Sequence, residues 1–85
     1  HYASQHSYIL ELKVLSKKDF SVIVEGEFTE DGKPMTKAEK QWREALDQIH
    51  RYAEAPRVEA LRQGTKLHLI IMQFEGWELK RMEEV

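Results

Sequence analysis

From Ser7 to Leu15 the chain runs Ser-Tyr-Ile-Leu-Glu-Leu-Lys-Val-Leu and then breaks at the polar Ser16-Lys17-Lys18-Asp19, a pattern that predicts a strand. Alternation along a strand puts Tyr8, Leu10, Leu12 and Val14 on one face and Ile9, Glu11, Lys13 and Leu15 on the other. The wholly apolar face predicts a sheet covered there by a helix. Phe20 to Phe28, with Val22, Ile23 and Val24 ahead of Gly26, is readable as a short strand or as a flexible excursion, and it ends in the turn-rich Glu30-Asp31-Gly32-Lys33-Pro34. Thr36 followed by Glu39 fits a capping box at a helix start. From Lys37 to about Ala53, Ala38, Trp42, Ala45, Ile49 and Tyr52 form an apolar stripe, and Glu39, Arg43, Asp47, Arg51 and Glu54 form a charged one. That is an amphipathic helix lying on a sheet.

Pro56 interrupts this helix, Arg57 to Gln63 can add one or two turns, and Gly64 suits the left-handed residue that ends them. Leu67 to Phe74 is apolar on both faces at Leu69-Ile70-Ile71-Met72, as expected of an interior strand between two layers. Glu75-Gly76 then reverses the chain into an edge strand, Trp77 to Met82, where Trp77 and Leu79 alternate with Glu78 and Lys80. The order strand, excursion, helix, strand, strand is an α/β arrangement, and no repeat is present.

Length and composition narrow this picture. At 85 residues the chain is at most one small domain, in which stabilising burial is modest. It starts at His1 and reaches a strand by Tyr8, so it reads as a piece of a longer protein. The absence of cysteine excludes disulfides and thiolate metal sites, and leaves a reducing cytoplasm as the default compartment. The longest aliphatic run, Leu69 to Met72, falls far short of the ~20 residues needed to cross a bilayer, so a soluble protein is expected. Basic and acidic residues mix along the chain to a net charge of −2, so any nucleic-acid contact has to be local.

One pattern break carries candidate chemistry. Glu11 and Lys13 share a strand face, flanked by Tyr8-Ile9-Leu10 and Val14-Leu15, where isolated charge is costly unless paired or liganded. Phosphodiester hydrolysis uses such a pair: the carboxylate holds a divalent ion that activates water, and the lysine orients that water or stabilises developing charge. The alternative is an ordinary solubilising pair. On the helix, Gln48 lies at the margin of the apolar stripe beside Ala45, Ile49 and Tyr52, and is placed to turn back toward the strand.

Tyr8-Ile9-Leu10-Glu11-Leu12-Lys13, then Ala45-Leu46-Asp47-Gln48-Ile49 and Tyr52-Ala53, then Leu67-His68-Leu69-Ile70-Ile71-Met72-Gln73-Phe74, together resemble the PD-(D/E)XK nuclease superfamily. More narrowly, the chain is similar to the nuclease-like domain at the C-terminus of bacterial proteins whose N-terminal part is an AAA-type ATPase-like domain. The flanks Arg51-Tyr52-Ala53, Gly64-Thr65-Lys66-Leu67-His68 and Gly76-Trp77-Glu78 add to the likeness, and Phe20 to Pro34 is its weakest stretch. The resemblance implies a partial restriction-endonuclease-like core, a mixed sheet with a helix packed on it. It implies Mg²⁺ or Mn²⁺ as cofactor, with Glu11 and the Leu12 carbonyl as metal ligands, Lys13 as catalytic lysine and Gln48 as a supporting glutamine. The family's first acid belongs on the preceding strand, and nothing between His1 and Ser7 supplies it. It either lies upstream or is absent, so the chain as given should bind metal poorly and lack nuclease activity alone.

The implied partners are nucleic acid and the ATPase-like domain, with a non-catalytic docking or regulatory role as the rival function. An open edge before Tyr8 is also expected to pair with a second copy, as a dimer or by strand exchange. Other signals are weaker. Gly26 to Lys33 has the wrong spacing for a phosphate loop, and Pro34 stands where a Ser or Thr would reach Mg²⁺. His1, His6, His50 and His68 show no close ligand spacing; His50 is an auxiliary candidate beside Gln48, and His68 reads as a satisfied sheet residue. Trp42 and Trp77 are both expected in the core, and Lys17 and Lys18 either hold a phosphate backbone or form a solvated loop.

Overall fold

A computed structural model describes residues 5–62 and 64–85; the readings on His1 and Gln63 lie outside them. The elements in chain order are β1 (His6–Leu15), α1 (Lys17–Phe20), β2 (Ile23–Phe28), β3 (Pro34–Thr36), α2 (Lys37–Glu54), α3 (Pro56–Arg62), β4 (Lys66–Glu75) and β5 (Glu78–Glu84). They make a mixed three-stranded sheet of order β1-β4-β5 and a separate β2-β3 ribbon. β1 and β4 run parallel from His6 opposite Lys66 to Leu15 opposite Glu75, and β5 returns antiparallel on β4.

α2 begins where the sequence says. The Thr36 hydroxyl accepts from the Glu39 N–H at 3.1 Å, satisfying one of the donors left unpaired at a helix start. The reciprocal half of the capping box is replaced, because the Glu39 carboxylate turns to Arg43 at 2.9 Å and to Arg81 at 3.5 Å. α3 begins at Pro56, and Gly64 takes φ +81° beyond it, a backbone region that glycine enters without a Cβ clash. Among the described residues no helix is long and apolar enough to cross a membrane.

The core is Trp42, Ala45 and Ile49 of α2 against Leu69 and Ile71 of β4, with Ile9, Leu46, Ala53, Leu67 and Val85 packed around it. Arg81 of β5 closes one side, its guanidinium 3.9 Å from the Trp42 ring centre in a cation–π contact. The predicted stripe is therefore right at Ala38, Trp42, Ala45 and Ile49, while Tyr52 lies beyond it and is exposed.

Three expectations are corrected. α2 covers the Ile9–Glu11–Lys13 face of β1, leaving the apolar Tyr8, Leu10, Leu12 and Val14 between 54% and 59% exposed. A crossover between parallel strands takes one hand almost without exception, so chain direction selects the covered face, and the apolarity of β1 does not. β4 is the central strand, and among the described residues it carries a helix, α2, on one side where a layer on each was expected. Trp77 is 100% exposed, because the turn after Glu75 includes it and β5 starts one residue later. The undecided 20–34 stretch is ordered as the end of α1 and the β2-β3 ribbon, and the polar break before it holds α1, capped by the Ser16 hydroxyl accepting from the Asp19 N–H.

The β2-β3 ribbon is tied to α2 by charge. The Arg43 guanidinium donates to both carboxylate oxygens of Glu30 at 2.8 and 2.7 Å and holds that carboxyl below its ordinary range. The link is present above the ordinary carboxylate range and weakens as acid protonates Glu30. Lys40 is raised by the Glu27 carboxylate it meets at 2.7 Å.

Candidate functional site

Glu11 and Lys13 leave β1 on the helix side because their odd positions share a face with Ile9, and Ile9 joins the core. Their side chains are only 19% and 26% exposed, and the Lys13 Nζ stands 3.3 Å from the Glu11 Oε2. Gln48, one residue before Ile49 at the end of the buried α2 stripe, reaches back to the strand, and the Lys13 Nζ donates to its Oε1 at 3.0 Å. The lysine ammonium is thus held between a carboxylate and an amide carbonyl from two different elements. A shallow groove lined by Lys13, Glu44, Asp47, Gln48 and Arg51 opens beside it to solvent. Asp47 is engaged with Arg51 at 3.2 Å.

The backbone of β1 adds a donor. The Gln5 and Leu15 carbonyls accept from the N–H groups of Lys66, at the start of β4, and Gly76, just past its end, so odd-numbered residues turn their backbone groups toward β4. Even-numbered residues turn theirs to the open edge, and the Val14 carbonyl there accepts from the Gln41 amide at 3.3 Å. The Leu12 carbonyl belongs to this edge set. It sits between Glu11 and Lys13 in the chain, and with the Glu11 carboxylate it makes a pair of hard oxygen donors of the kind that suits Mg²⁺ or Mn²⁺.

Beneath the site lies a residue that pattern reading passes over. Gln73 of β4 is opposite Lys13 in register and only 2% exposed. Its Nε2 donates to the Ala38 carbonyl at 2.8 Å and to the Gln41 Oε1 at 2.9 Å. Gln41 in turn donates to Val14, so a hydrogen-bonded chain runs from the core of β4 through α2 to the β1 edge. The signal was present in the sequence: a lone glutamine inside the apolar run Leu69 to Phe74 needs a partner when buried.

None of the described histidines bonds to Glu11 or Lys13. His50 is exposed and its Nδ1 meets the Leu46 carbonyl within α2 at 2.8 Å. At the start of β1, His6 Nδ1 and His68 Nε2 lie 2.8 Å apart, His68 Nδ1 meets Glu84 at 2.7 Å, and Tyr8 stacks on His68. Among the described residues no group of three or more His, Cys, Asp or Glu side chains gathers in a way that could hold a metal ion.

A family model described as the PD-(D/E)XK nuclease superfamily matches residues 1–84. No curated protein and no solved structure matches the chain.

Proposed function

The chain belongs to the PD-(D/E)XK nuclease superfamily, and from that premise we propose that it carries part of a metal-dependent site that hydrolyses nucleic-acid phosphodiesters, centred on Glu11, Lys13 and Gln48. The observation that supports this most is the Lys13 ammonium held between Glu11 at 3.3 Å and Gln48 at 3.0 Å on a part-buried strand face. Glu11 and the Leu12 carbonyl fit Mg²⁺ or Mn²⁺ in kind and fall short in number, since Mg²⁺ is usually held by one or two carboxylates together with waters and substrate oxygens. The ion supplies charge to the scissile phosphate and a more acidic bound water.

The chain's own residues do the rest. Lys13 presents protons to the attacking water or to the phosphate oxygens as charge builds, and it needs no reorganisation because Gln48 fixes its Nζ. Glu11 keeps a negative charge at the strand edge and balances the ammonium until a cation competes for it. Gln48 is a positioning residue. In the full-length protein, Glu11→Ala should abolish Mn²⁺-dependent cleavage while the circular dichroism spectrum stays native; cleavage at the wild-type rate would refute the assignment.

A second reading has one observation in its favour. Tyr8, Leu10, Leu12 and Val14, with Leu79 and Met82 of β5, form an apolar sheet face without a covering layer among the described residues. Such a face suits a non-catalytic domain that docks on a neighbour, of which an ATPase-like domain is the one the resemblance suggests.

A further inference from the structure

Three strands bring a second set of titratable side chains together, on the sheet face opposite α2. His6 starts β1, His68 lies near the start of β4, and Glu84 ends β5. Leu69 and Ile71 pack on α2, so alternation sends His68 to the other face, and Glu84, opposite Ile70, joins it there. The Glu84 Oε2 stands 2.7 Å from the His68 Nδ1, so that nitrogen carries the proton and donates it, and the His68 Nε2 presents a lone pair. Facing that lone pair is the His6 Nδ1, 2.8 Å away. The two rings are tilted by 44° with centres 4.9 Å apart, and Tyr8 stacks on His68 at 4.7 Å. His68 is therefore bonded at both nitrogens, packed on one ring face and only 13% exposed.

We propose that the His6 Nδ1 and the His68 Nε2 are ligands to one borderline divalent cation of the Zn²⁺ class, with Glu84 as the outer partner that orients His68. Two imidazole nitrogens at ~2.0–2.1 Å from a tetrahedral ion stand about 3.3 Å apart, so the pair has to widen by about half an ångström. A carboxylate that takes the second N–H of a ligating histidine fixes its ring and makes it the stronger ligand, which is the place Glu84 holds. Without the ion, the proton between the rings belongs to the His6 Nδ1. When the ion binds, His6 gives that proton to solvent and carries one at Nε2 instead, so the ring stays neutral and its Nδ1 lone pair turns to the metal.

Only these two side chains ligate, fewer than a structural zinc site holds, and water completes the coordination. Imidazole nitrogens suit Zn²⁺, whereas the Glu11 carboxylate and the Leu12 carbonyl suit Mg²⁺ or Mn²⁺, so the two ends of β1 take different ions. None of Glu11, Lys13 or Gln48 takes part, and the site stands whether or not the chain cleaves nucleic acid. The ion ties β1 to β4 and, through Glu84, to β5.

Titration calorimetry of Zn²⁺ into the full-length protein is the test, because it reads binding and not cleavage. The wild type should bind one Zn²⁺ more than His6→Ala or His68→Ala. Glu84→Gln keeps the shape of the carboxylate and removes its charge, and it should weaken that event about 10- to 100-fold. Glu11→Gln should leave the event unchanged, which separates this ion from one held beside Lys13. His6 and Glu84 are exposed and lie outside the Trp42–Ile49–Ile71 core, so their variants keep the fold, as circular dichroism checks. A wild type that binds no Zn²⁺ overturns the proposal, as does equal stoichiometry in the wild type and both histidine variants, wild-type affinity in Glu84→Gln, or loss of the event in Glu11→Gln.

Discussion

Lys13→Met in the full-length protein should lower Mn²⁺-supported cleavage by about 10²- to 10³-fold while leaving the fold intact, the loss expected when one preorganised donor to a developing oxyanion is removed. Methionine keeps the unbranched apolar stem of lysine and drops the ammonium, so packing against α2 survives and the change isolates the charge. The Glu11 carboxylate loses its neighbour at 3.3 Å, and Gln48 loses the donor to its Oε1. Gln48 lines a groove open to water and the Glu11 side chain keeps part of its surface exposed, so neither is left fully buried without a partner. Single-turnover cleavage on a labelled oligonucleotide measures the effect. A rate within a few-fold of wild type would mean that the ammonium does no work in the reaction.

Trp42→Ala should be the most destabilising single change, costing about 3–5 kcal/mol for a buried tryptophan cut to a methyl group. The indole is 2% exposed at the centre of the α2–β4 interface, and its removal opens a void beside Ala45, Ile49 and Ile71. Arg81 also loses the ring face it covers at 3.9 Å. A domain of 85 residues has roughly 4–13 kcal/mol in total, so the variant should melt at least about 12 °C lower or be largely unfolded. A shift of only a few degrees by differential scanning calorimetry would show that the core is organised elsewhere.

The elements that position the site were legible because each follows a local rule. Alternation defined β1, Thr36 marked the start of α2, and the Ala38–Trp42–Ala45–Ile49 spacing identified the stripe that is buried. Gln48 was readable as a margin residue able to turn back to the strand, and its bond to Lys13 shows that geometry. What depends on the path of the whole chain was not legible. Alternation tells that β1 has two faces but not which one receives the helix, and the crossover between β1 and β4 put the charged pair under α2. Trp77 was misplaced because turn length, not alternation, governs the residue after Gly76, which takes φ +59°. The β2-β3 ribbon pairs Ile23 with Thr36 and Phe28 with Pro34 through an irregular register, a closure that no short motif encodes. α1 did have a signal, Ser16 followed three residues later by Asp19, but one turn of helix barely competes with a loop.

The proposed site offers one carboxylate, Glu11, and one carbonyl, Leu12, and Mg²⁺ or Mn²⁺ there would take its further ligands from water, substrate or other parts of the protein. Titration calorimetry of Mn²⁺ into the full-length protein, beside its Glu11→Gln variant, addresses this directly. The account predicts saturable binding by the wild type that Glu11→Gln removes; binding by neither protein, or equal binding by both, would contradict a metal-dependent site at Glu11.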